Sequence, residues 1–104
     1  MQRFQYRNPR FEVNAPLTFY LTPGSPLRGR CLDISAEGMK AKLDRHVPVG
    51  SIMRLEMSFW GESLAVTARL GYYDQDCCGL IFEFSTDEER SSLGRLLQAI
   101  QKVT

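Results

Sequence analysis

Asp33-Ile34-Ser35-Ala36-Glu37-Gly38 joins two segments of strand-like pattern, Leu27 to Asp33 before it and Met39 to Leu43 after it. An extended backbone turns successive side chains to opposite faces, so Asp33 and Ser35 are expected side by side, a carboxylate next to a hydroxyl, with Ile34 turned inward. Gly38 lets the chain bend where a side chain would obstruct, and it permits a positive φ if the turn needs one. The hexapeptide has two readings: a strand end that meets a ligand, or an Asp/Ser/Gly turn joining two strands.

The same alternation extends in both directions. Phe11, Val13, Leu17, Phe19 and Leu21 hold odd positions among mostly polar neighbours, which is the period of a half-buried strand. Pro16 interrupts that strand and removes one ladder donor, which predicts an edge or a bulge. Thr22-Pro23-Gly24-Ser25-Pro26 reads as a loop. Met39, Ala41 and Leu43 alternate with Lys40 and Lys42, giving a short third strand with its basic face outward. Past the Val47-Pro48-Val49-Gly50 turn, Met53, Leu55, Met57 and Phe59 share one parity. Trp60-Gly61-Glu62 predicts a hairpin turn, after which Leu64, Val66, Ala68 and Leu70 continue the inward face; Cys78, Leu80, Phe82 and Phe84 do so on a last strand. Six strands with regular turns predict an antiparallel barrel or sandwich, since closure removes exposed edges.

At Ser85-Thr86-Asp87-Glu88 the period changes. This tetrapeptide resembles a capping box, and the consecutive acids Asp87, Glu88 and Glu89 favour the positive end of a helix dipole. Leu93, Leu96, Leu97, Ile100 and Val103 follow at helical spacing, predicting a helix over 86–103 whose apolar face packs across one open end of the barrel; a dimer seam or docking surface is the functional alternative. Gly94 weakens this helix by about 1 kcal/mol relative to alanine.

Composition bounds the function. With 104 residues, 43% of them hydrophobic, the chain suffices for one domain and one core. No apolar run approaches the ~20 residues of a membrane span, and the basic N-terminus lacks an apolar stretch of the signal-peptide kind. Cys31, Cys77 and Cys78 are odd in number and two are adjacent, so no disulfide framework is expected and the protein reads as cytoplasmic. His46 is the single histidine. Cys77 and Cys78 point to opposite faces of a strand, which argues against a zinc site with Cys31 and His46. Asp74 and Asp76 flank Gln75 as a β-turn would, and no nucleophile or phosphate-loop motif occurs. The expectation is a binding module, not an enzyme, without cofactor or metal.

Charge is local. The net charge is +1, yet Arg3, Arg7 and Arg10 fall in the first ten residues with no acid before Glu12. An arginine fork can give paired hydrogen bonds to phosphate oxygens or to O6 and N7 of guanine. With Arg3-Phe4-Gln5-Tyr6-Arg7-Asn8-Pro9-Arg10, the D-x-S-x-x-G hexapeptide at Asp33 to Gly38, and the late strand opening Gly79-Leu80-Ile81-Phe82, the chain resembles the PilZ domain, a bacterial module that typically binds cyclic di-GMP. The Val47-Pro48-Val49-Gly50 turn extends the resemblance over almost the whole chain. The fold expected is all-β, a six-stranded antiparallel Greek-key β-barrel over 11–84 with one C-terminal α-helix, preceded by a flexible arginine-rich arm over 1–10.

The family's R-x-x-x-R spacing is met by Arg3 and Arg7. Counting back from Asp33, however, Arg10 lies closer to the second arginine's expected place, and Tyr6 then stands where the first would be. One lost bidentate contact costs a few kcal/mol, roughly tenfold to a thousandfold in affinity. The resemblance implies a ligand with two phosphates and two guanines, held by Arg7 and Arg10 at phosphates and guanine edges. Arg3 would contribute if the terminus folds back. Asp33 would accept the guanine N1 and N2 hydrogens or orient an arginine, Ser35 would add a hydroxyl, and Gly38 and Gly79 complete the site. Tyr6 would stack on a guanine. Ordering of the arm would relay the signal to a downstream protein partner; no DNA or RNA partner and no membrane span are expected. Two rivals remain: a PilZ-like barrel without cyclic di-GMP that acts in protein–protein interaction, and a single-strand nucleic-acid binder stacking bases on Phe11, Phe19, Tyr20, Trp60, Tyr72 and Tyr73.

Overall fold

Alternation carries through into six strands, β1 (Phe11–Tyr20), β2 (Leu27–Ile34), β3 (Gly38–Leu43), β4 (Ile52–Phe59), β5 (Glu62–Asp74) and β6 (Cys77–Phe82), followed by a helix, α1 (Asp87–Val103). The computed structural model describes residues 9–21 and 25–103. Arg3, Tyr6 and Arg7, the loop residues Thr22 to Gly24 and the side chain of Val103 lie outside the described residues.

Among the described residues the strands close into a barrel in the order β1-β2-β3-β6-β5-β4, every neighbouring pair antiparallel. β1, β2 and β3 follow one another, and β4 returns beside β1, which is the Greek-key connection. The expected barrel with one C-terminal helix is therefore the fold observed. Leu17, Phe19, Ile34, Leu55, Leu64, Leu70 and Leu80 fill the interior with essentially no exposure. Each such side chain contributes about 1.5–3 kcal/mol on burial.

Three bulges break the strict alternation. On β1, Glu12 faces Asp33 but Ala15 faces Cys31, so one residue is extra, and Asn14 takes a φ of 49° there. On β2, Cys31 faces Ala41 and Asp33 faces Lys40, leaving Leu32 extra. On β5, Leu70 faces Leu80 and Tyr72 faces Gly79, leaving Gly71 extra. The bulges on β2 and β5 reverse which parity points inward, whereas β1 keeps its odd positions toward the core on both sides of its bulge. Cys31 and Ile34, three apart, are consequently both buried.

β6 stops at Phe82 opposite Ala68, so the N-terminal half of β5 has no strand on that side. Helix α1 covers that edge with polar side chains. Ser92 Oγ accepts from the Ala65 N–H at 3.3 Å and Glu89 accepts from the Thr67 N–H at 2.9 Å, while Leu93, Leu96 and Ile100 join the core. An uncovered row of strand amides would invite pairing with another chain. The helix start lies one residue later than the sequence pattern indicated: Thr86 Oγ1 accepts from the Glu89 N–H at 3.1 Å, and Glu89 returns to the Ser85 N–H at 3.0 Å. Thr86 is thus the capping residue, with Glu89 closing back onto the residue before it, and Ser85 and Glu88 do not form the box.

The β3–β4 connection is anchored from β5. The Tyr73 hydroxyl donates to Val47 O at 2.7 Å and accepts from Val47 N–H at 2.8 Å, with the His46 ring stacked 4.9 Å away. Val47 is thereby held fully buried.

Candidate functional site

Five strands contribute residues that lie in one lateral row. Cross-strand pairing sets Glu12 on β1 opposite Asp33 on β2, Asp33 opposite Lys40 on β3, Lys40 opposite Gly79 on β6, and Gly79 opposite Tyr72 on β5. Directly paired residues present their side chains on the same face of the sheet. Asp33, Lys40 and Tyr72 all keep exposed surface, so the row lies on the outside of the barrel.

Arg10, the residue before β1, reaches this row. Its Nε and Nη2 donate to Asp33 Oδ1 at 3.1 and 2.6 Å, with about a quarter of each side chain exposed. Beside the pair lies a cavity of about 320 Å³ lined by Arg10, Glu37, Gly38, Tyr72, Gly79 and Ile81. That volume is within the range of about 300–1,000 Å³ usual for small-molecule sites.

The hexapeptide forms a tight turn beneath this cavity. The Ser35 N–H donates to Gly38 O at 2.9 Å, and Ser35 Oγ both accepts from the Glu37 N–H at 3.1 Å and lies 3.4 Å from Gly38 O. Ser35 is fully buried. It does not stand beside Asp33 as simple alternation required, because its hydroxyl replaces a backbone group inside the turn. Gly38 does not use a positive φ. Its role is close approach: a Cβ there would collide with the backbone oxygen of Leu80. At Gly79 a Cβ would meet the Tyr72 ring, so the ring lies over this glycine.

Sequence reasoning missed Tyr72. Its parity matches Leu64 to Leu70, which predicted burial, yet it is half-exposed because the Gly71 bulge turns it outward. An isolated glycine within a strand was the available signal. Ile81 was likewise read only as part of the last strand; it is 38% exposed and walls the cavity. The aromatic platform required for a single-strand binder does not form. Phe19 is buried, Trp60 lies in the turn before β5 while Tyr72 lies near the far end of that strand, and Tyr73 is tied to Val47.

Cys31 lies under the row, with its thiol 3.5 Å from Asp33 O. Burial pushes this thiol up to about 12, with the Asp33 charge adding and the Arg10 charge opposing, so it remains protonated. Burial also pushes Cys78 up to about 11. Among the described residues no His, Cys, Asp or Glu group is arranged to hold a metal ion, and no helix is long and apolar enough to cross a membrane.

The family model for the PilZ domain matches residues 2–99. The chain belongs to the PilZ domain family. PilZ domains are binding modules, and solved structures of several share this barrel. The chain is similar to the PilZ domain of CeSA from a cellulose-synthesizing bacterium, with a TM-score of 0.75 and 18% identity, covering 89% of this chain and 98% of that one. It is similar to the PilZ domain of YcgR from Escherichia coli, solved with c-di-GMP, at a TM-score of 0.72 and 19% identity over 95% and 93% of the two chains. MrkH of K. pneumonia, in a c-di-GMP complex, gives a TM-score of 0.67 and 15% identity, covering 94% of this chain and 51% of that one. At these identities the likeness is one of fold. No curated protein matches the chain significantly.

Proposed function

We propose that this PilZ domain is a receptor module for cyclic di-GMP, which seats on the outer face of β2, β3, β6 and β5 and is closed over by the arginines that precede β1. The observation that carries this reading is the Arg10–Asp33 pair beside a cavity that Arg10 lines together with Gly38 and Gly79. An anionic ligand with guanine edges suits that pair. Arg10 offers its guanidinium to a phosphate or to guanine O6 and N7, and Asp33 offers acceptors to the guanine N1 and N2 hydrogens. Tyr72 supplies a half-exposed ring on which a base can stack. Ser35 acts through the turn it holds. Arg3, Arg7 and Tyr6 are assigned to the arm that completes the site.

Closing the arm on the ligand orders residues and alters the surface shown to a protein partner, which makes binding a switch. Calorimetric titration with cyclic di-GMP at near-physiological salt, with GTP as control, tests the reading. Saturable micromolar or tighter binding that GTP does not reproduce is expected. Absence of heat from folded protein would overturn it, leaving the module to act through protein contacts alone.

A further inference from the structure

We infer that Lys40 is a ligand-contacting cation of this site, binding a phosphate of the anionic dinucleotide from the side opposite Arg10; the inference rests on the receptor reading above. Lys40 occupies the centre of the lateral row, paired on one side with Asp33 and on the other with Gly79. Gly79 has no side chain, so only the Tyr72 ring rises between Lys40 and β5. Among the described residues the ammonium has one weak partner, Asp74 Oδ2 at 3.9 Å, and both groups are well exposed, at 38% and 63%. Such an exposed pair is worth little and yields readily to a doubly charged ligand. Lys40 therefore offers a positive charge on the Gly79 side of Asp33, away from Arg10. In the frame that ends at Arg10, where Tyr6 stands at the first arginine's place, such a charge matters more.

Lys42 provides an internal control. It is an exposed lysine two residues along β3, paired with Arg30 in the next outward row and not with any residue of the cavity. Cyclic di-GMP affinity of the full chain should fall at least fivefold in Lys40→Met, with a shallower dependence on salt, since one screened ionic contact is lost. Lys40→Arg should stay within about twofold of the parent, as expected where charge and not shape is recognised. Asp74→Asn should bind more tightly, because the competing carboxylate is gone. Lys42→Met should change affinity less than twofold. A Lys40→Met affinity and salt slope matching the parent, with Arg10→Ala defective, would overturn this inference alone. Equal losses in Lys40→Met and Lys42→Met would mean a diffuse field and would also overturn it. Failure of the parent to bind removes both readings.

Discussion

A methyl group added at Gly38 meets the carbonyl oxygen of Leu80, an atom of the β6 backbone, whereas one added at Gly79 meets the ring of Tyr72. Backbone held in a ladder cannot step aside without breaking hydrogen bonds, but a half-exposed ring can rotate. Gly38→Ala should therefore destabilise the domain by about 2–3 kcal/mol, the upper part of the range for overpacking. Gly79→Ala should cost less than about 1 kcal/mol while displacing the Tyr72 ring. Urea midpoints followed by circular dichroism would separate the two, and ligand titration of Gly79→Ala should show weakened binding despite a near-parental midpoint. Equal midpoints for the two variants would contradict the distinction between a rigid and a movable neighbour. At Arg10 and Asp33 the logic differs. Each side chain keeps enough exposure that Arg10→Ala or Asp33→Ala should leave the barrel folded while weakening cyclic di-GMP binding strongly, measured by the same titration.

At the scale of elements, the junction of α1 with β5 depends on one carboxylate. Burial of Glu89 works to raise its pKa, but the N–H groups of Ser85 and Thr67 and the Thr67 hydroxyl together outweigh that, and the net direction is down from the usual 4.5. A carboxyl whose folded pKa lies below its unfolded value stabilises fully above the unfolded value, and loses that contribution as pH falls through the folded one. Glu89→Gln should accordingly be less stable than the parent at pH 7 by about 1–2 kcal/mol, as for loss of hydrogen bonds to a charged group. The gap should close as pH drops below about 4.5. Thermal unfolding of both proteins from pH 7 to pH 3 measures this; a gap that stays constant would show that the charge is not what matters. The same carboxylate covers the free edge of β5, so its loss also exposes strand amides.

Over the whole molecule, the seams of the barrel are unequal. β4 and β5 pair over eight positions from Ile52 to Phe59, but β1 and β4 pair only at Thr18–Glu56, Phe19–Leu55 and Tyr20–Arg54. Continuing that register would bring Pro16, which has no N–H to donate, opposite Ser58, and the ladder ends short of it. A groove of about 550 Å³ opens there between Pro16, Met57 and Leu64. Local opening follows the weakest cooperative unit, so native-state hydrogen exchange should release the amides of the β1–β4 seam before those joining β4 to β5. The reverse order would show that closure of the barrel is not its weakest join.

The sequence by itself determined the number and order of strands, the final helix and most of the core, because alternation of apolar side chains is a local property that every strand repeats. It also carried the Arg10, Asp33, Gly38 and Gly79 set, through motif spacing and not through geometry. Tertiary structure decided what the bulges decide. Extra residues at Leu32 and Gly71 reverse parity partway along β2 and β5, burying Cys31 as well as Ile34 and sending Tyr72 outward. Periodicity read along one strand cannot reveal this, since a bulge exists only relative to the partner strand. The place of Lys40 was hidden for the same reason. Its neighbours Asp33 and Gly79 are distant in sequence, and only the closure of β2, β3 and β6 side by side puts a lysine between them.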